Sequence, residues 1–86
     1  MSLEKITDAL NLPKDIVMGA SILHLIGQYE VYIENYKNII EFNENVIKVQ
    51  ARSAKIIITG KHLHIEYFNN DDMKIKGRIS DVSFTV

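Results

Sequence analysis

The stretch His62–Ile79, HLHIEYFNNDDMKIKGRI, decides the fold. Leu63, Ile65 and Tyr67 alternate with His62, His64 and Glu66; further on, Met73, Ile75, Gly77 and Ile79 alternate with Lys74, Lys76 and Arg78. Successive side chains of a strand point to opposite faces, so alternation with a period of two predicts strands with one apolar side. Between the runs stands Asn69-Asn70-Asp71-Asp72, built from residue types that accept turn conformations and hydrogen-bond their own backbone. The stretch reads as a β-hairpin.

The same pattern extends outward in both directions. Upstream, Ala54–Thr59 is apolar at Ile56, Ile57 and Ile58, which predicts a central strand covered on both faces and broken by Gly60. Ile47, Val49 and Ala51 alternate with Lys48, Gln50 and Arg52, after a turn at Asn43-Glu44-Asn45. Ile40 and Phe42 form a strand before that turn, and Asn35–Asn38 is a turn of its own. Tyr29, Val31 and Ile33 alternate with Glu30, Tyr32 and Glu34, and Leu23 and Leu25 open the series ahead of Gly27. Downstream, Ser80-Asp81 leads into Val82, Phe84 and Val86. About eight short strands result, joined by loops of hairpin length that cannot hold parallel crossovers. The expected fold is all-β, an antiparallel meander over residues 21–86. So many strands with one apolar face each must curl, form two layers or bury that face against another subunit. The hairpins can be read as repeats of one unit, but no fixed period with matching residues stands out, which argues against a solenoid.

Residues 1–12 are different. Leu3, Ile6, Ala9 and Leu10 fall at helical spacing behind a Ser2 cap, and Pro13 stops the run. One short N-terminal helix is expected, and residues 1–86 read as one domain.

Composition narrows the function classes. Ten Lys and Arg against eleven Asp and Glu leave a net charge of −1, which offers no field to gather nucleic acid. Weak net charge also opposes self-association little, so a homo-oligomer is expected. There is no cysteine, hence no disulfide and no thiolate metal site, which fits a reducing, cytoplasmic setting. No stretch approaches the ~20 apolar residues of a membrane helix. Nothing marks a nucleophile, base and orienting acid together, and no glycine-rich loop precedes a helix. The chain reads as a non-enzyme with no cofactor and no small-molecule substrate.

Three groups of residues remain as candidate sites. Glu34, Asn35 and Tyr36 form the sharpest polar signature. Asn35 suits a left-handed turn position, while Tyr36 is of the amphipathic type enriched in interface cores. Lys74, Lys76 and Arg78 make a basic stripe that can meet an anionic lipid surface or an adaptor partner, at about 1 kcal/mol per charge. Its plainer reading is a solvated face whose lysines discourage edge pairing. His62, His64 and Glu66 share one face at i, i+2, i+4 and offer a metal candidate. Neighbouring ligands on one strand stand roughly 6–7 Å apart, so a solvated strand face comes first and no metal is assigned.

The ordered set of these features resembles the YabP/YqfC sporulation proteins of endospore-forming Firmicutes, with the closer likeness to the YqfC branch. It rests on Leu12-Pro13-Lys14-Asp15, on Ile33-Glu34-Asn35-Tyr36-Lys37, on Thr59-Gly60 followed by Leu63 and Ile65, and on Ile75, Gly77, Ile79 and Val82. Ser21, Ile22, His24, Asn38 and Ala54 depart from the family's usual residues. The resemblance implies a sporulation protein without known enzymatic activity. It would act as a structural or assembly factor in the mother-cell cytoplasm, peripheral at the forespore surface, with a sporulation membrane protein as one partner class.

Overall fold

The computed structural model describes residues 19–86. The helix expected over residues 1–12 lies outside them. Six strands follow in order: β1 (Ile22–Ile26), β2 (Glu30–Glu34), β3 (Asn38–Phe42), β4 (Val46–Gln50), β5 (Lys55–Phe68) and β6 (Asp72–Thr85). All pairings are antiparallel, in one open sheet with the spatial order β1-β2-β6-β5-β4-β3. The all-β class holds among the described residues, whereas the expected strand count and simple meander do not.

The count falls from eight to six because Gly60 and Ser80-Asp81 do not end strands. β5 and β6 run for 14 residues each and absorb the irregularities as bulges at Thr59/Gly60, Lys61/His64 and Ile65/Tyr67. A bulge adds an unpaired residue and bends the strand without stopping it. His62, with φ 55°, sits in one of them.

The order departs from a meander at residues 35–37. Asn35 takes φ 62°, and its amide donates to Asp71 O at 2.7 Å, while the Lys37 amide donates to Gln50 O at 2.8 Å. Two residues apart, the chain is thus tied first to the β5–β6 turn and then to the end of β4. It leaves β2 beside β6 and begins β3 at the far edge of the sheet.

That crossing reveals an internal two-fold relation. Glu30 to Glu34 pair with Lys76 to Asp72, and Val46 to Gln50 pair with Thr59 to Lys55. Each β2 position maps onto β4 (46 − 30 = 16) and each β6 position onto β5 (76 − 59 = 17), in the same register throughout. The hydrogen bonds obey the same mapping. Gly77 N donates to Tyr29 O at 3.1 Å, and Gly60 N donates to Asn45 O at 3.0 Å. Asn35 N to Asp71 O has its counterpart in Ala51 N to Ala54 O at 2.8 Å. One half of the sheet is therefore β1-β2 with the adjoining halves of β6 and β5, and the other is β3-β4 with the adjoining halves of β5 and β6.

The core follows the same symmetry. Val31 and Ile33 correspond to Ile47 and Val49, and Met73 and Ile75 correspond to Ile56 and Ile58; all eight are 0% exposed. They lie in one cluster with Leu63, Ile79, Ala51 and Tyr36. Burial of apolar surface on this face is the main force holding the halves together, at roughly 1.5–3 kcal/mol per large side chain.

Candidate functional site

Among the described residues the open sheet leaves four backbone edges. Among those residues β1 pairs only with β2, and β3 only with β4. In the long hairpin, β5 beyond Leu63 has β6 on one side and no strand on the other, and β6 beyond Ile79 likewise has only β5. The exposed large apolar side chains gather there: Leu25 and Ile26 on β1, Ile40 and Phe42 on β3, Tyr67 and Phe68 on β5, and Phe84 on β6. The inner strands β2 and β4 carry none. An apolar edge with free amides and carbonyls is a template for another strand.

β1 is the least defended of these edges. Its sequence, ILHLI, contains no Lys, no Pro and no Gly, and its pairing with β2 runs without a bulge. β3, by contrast, carries Glu41 and a register shift between Ile39 and Glu41. Lysine, proline and bulges are the usual guards of an edge, and β1 has none of them.

The basic stripe is neutralised from both sides. In register Lys76 lies between Glu30 of β2 and His64 of β5, and Lys74 between Tyr32 and Tyr67, and both ammonium groups stand between the carboxylates of Glu30 and Glu66. Lys74 Nζ lies 3.9 Å from Glu30 and 3.7 Å from Glu66; Lys76 Nζ lies 3.5 Å and 3.2 Å from the same carboxylates. Lys74 also sits over the Tyr32 ring, 5.0 Å from its centroid. Arg78 is outside this group. The sequence reading missed Glu30 as a member, because strand order and not spacing brings it across from Lys74 and Lys76.

Tyr36 lies in the core, 8% exposed, and its hydroxyl donates to Asn69 O in the β5–β6 turn. Asn35, beside it, bridges to the start of the described chain: its Nδ2 donates to Ala20 O at 3.1 Å, and its own carbonyl accepts from Ser21 Oγ at 2.7 Å. Glu34 faces His24 at 3.8 Å. The three signature residues thus serve three different surroundings. His62, in the bulge between Lys61 and His64, is exposed as His64 and Glu66 are, and Glu66 is engaged by the lysines. Among the described residues no group of three His, Cys, Asp or Glu can hold a metal ion.

These surroundings set a pH dependence. Hydrogen bonding from Lys76 holds the Glu66 carboxyl below its ordinary 4.5. Burial, reinforced by Asp72 and Asp71, pushes the Tyr36 hydroxyl above its ordinary 10.0. Contact with Tyr32 raises Lys74 above 10.5. A lowered carboxyl gives stability that is complete above 4.5 and is lost as pH falls through the folded value; raised Tyr and Lys groups give stability that is complete below their ordinary values and is lost as pH rises. Urea midpoints should therefore plateau between about pH 5 and pH 10 and fall on both sides. Glu66→Gln should flatten the acid limb, and Tyr36→Phe should flatten part of the alkaline limb.

No solved structure matches the chain. Among curated proteins, it is 28% identical over 79 residues to the uncharacterized protein YqfC of Bacillus subtilis (strain 168), covering 92% of this chain and 85% of that one. The family model of the YabP family matches residues 19–86, the same residues that build the two-fold sheet. The chain belongs to the YabP family.

Proposed function

We propose that this is a non-enzymatic sporulation protein that works as an assembly factor, joining copies of itself through sheet edges. The observation that carries the reading is the coincidence of exposed apolar side chains with unpaired strand edges, above all the unguarded β1. Strand addition supplies main-chain hydrogen bonds for affinity and alternate side-chain contacts for specificity. Family membership supplies the sporulation setting. The matched charges around Lys74 and Lys76 favour a protein partner over an anionic lipid surface, since two of the three stripe cations already have carboxylates.

Sedimentation velocity at high micromolar concentration tests the reading. The wild-type chain should sediment as an oligomer, and Leu25→Lys, which puts a charge on a side chain already 56% exposed, should return it to monomer with its fold intact by circular dichroism. A wild-type monomer at that concentration overturns self-association.

A further inference from the structure

The two-fold relation extends to the two ends of the sheet. Ile22 pairs with Glu34 and Asn38 with Gln50, so the offset that carries β2 onto β4 (50 − 34 = 16) also carries β1 onto β3 (38 − 22 = 16). Among the described residues these two strands close the sheet. They are related edges with different side chains. On the outer face β1 carries His24, 3.8 Å from Glu34 of β2, and β3 carries Glu41, 3.9 Å from Lys48 of β4. On the inner face Leu23 stands beside Ile33 and Phe42 beside Ile47.

Charge separates the ways in which two copies can meet along these edges. Pairing β3 with β3 brings two Glu41 carboxylates into one five-residue seam, and like charges facing each other across strands are unfavourable. Pairing β1 with β1 brings two imidazoles together and gains no opposite partner on either edge strand. Pairing β1 with β3, antiparallel and with His24 opposite Glu41, lines up Glu34, His24, Glu41 and Lys48 on four successive strands. Acid and base then alternate across the seam. The same register sets Leu23 opposite Phe42 on the inner face, where apolar surface is covered.

We infer that copies of this chain join head to tail, β1 of one adding antiparallel to β3 of the next. This rests on the self-association proposed above and gives it a geometry. Glu41 guards β3 against its own kind, yet it accepts an edge whose imidazole can donate to a carboxylate. Because the two surfaces in contact differ, a pair still has an unused β1 at one end and an unused β3 at the other. Further copies therefore add.

Sedimentation velocity of the full chain with charge exchanged on one edge tests the contact. The wild type should pass beyond the dimer as concentration rises. His24→Glu sets a carboxylate against Glu41, and Glu41→Lys sets an ammonium against His24; both positions are exposed, and circular dichroism checks the fold. Each variant alone should assemble at least about tenfold more weakly. An equimolar mixture of the two should recover assembly, since every seam between unlike copies again pairs acid with base. Glu41→Gln, which only removes the charge, should weaken assembly about threefold and serves if a lysine beside Lys48 unsettles the fold. A wild type that stops at the dimer, a Glu41 variant that assembles as the wild type does, or a mixture that stays monomeric overturns the head-to-tail contact and leaves self-association standing. A wild-type monomer removes both.

Discussion

Tyr36→Ala should lower the stability of the domain by about 3–5 kcal/mol, the range for truncating a buried aromatic. Total stabilities of ordinary domains run from about 5 to 15 kcal/mol, and a chain this short belongs at the low end. The variant should therefore be partly unfolded at room temperature. Two losses combine. The ring leaves a hole where residues 35–37 cross from β2 to β3, and the Asn69 carbonyl loses the hydroxyl that donates to it. Tyr36→Phe separates them, because it keeps the ring and removes only the hydrogen bond, at about 1 kcal/mol. Urea denaturation of both variants measures the difference. A mild effect from the alanine change would show that the ring does not hold the crossing in place.

Gly60→Ala should be nearly as damaging, at about 3 kcal/mol. A Cβ on Gly60 would fall onto the carbonyl oxygen of Arg78, with the carbonyl carbon 2.9 Å away and the Ile79 Cα at 3.1 Å. These are backbone atoms of the paired strand, so no side-chain rotation relieves the overlap. The β5–β6 hairpin would have to open at its middle, where both halves of the sheet join. For a domain of this size, ~3 kcal/mol corresponds to a fall of roughly 12–24 °C in melting temperature. Gly77 occupies the related position, with φ +143° and a would-be Cβ 2.7 Å from His62 O and 2.8 Å from Leu63 Cα. Thermal unfolding of Gly60→Ala against wild type is the measurement, and an unchanged melting temperature would mean that the strands separate there at little cost.

The alternation of apolar and polar residues located the strands well, because burial on one face imposes a period of two. Val31, Ile33, Ile47, Val49, Ile56, Ile58, Met73 and Ile75 were all legible as inward residues, and all are fully buried. What the pattern could not carry was order. Alternation is identical whether a strand's neighbour is next in sequence or forty residues away, so the jump at residues 35–37 had no signature in it. Gly60 misled for a related reason: a glycine that ends a strand and one that lets two strands approach closely look alike in a sequence. The two-fold relation was present as two different offsets, sixteen for the first hairpins and seventeen for the long strands, and a search for one fixed period misses it. With both offsets in hand, Ile56-Ile58-Gly60 against Met73-Ile75-Gly77 is readable.

The candidate sites were less legible than the strands, since each depends on which strands are neighbours. Lys74 and Lys76 form a basic stripe only until Glu30 is placed beside them. Tyr36 suggested an interface anchor by residue type, and the structure puts its ring inside the chain's own core.

The pairing of β2 with β6 also governs the timing of folding during synthesis. Glu30 needs Lys76 and Glu34 needs Asp72, so the first hairpin leaves the ribosome with nothing to lie against until almost the whole chain has been translated. The β3–β4 hairpin finds β5 sooner, yet its half is finished only by the last residues of β6. Neither half can close early, and long-range strand pairing of this kind is slow. For that interval the nascent chain shows its apolar faces to solvent, where they are vulnerable to aggregation and dependent on holding factors.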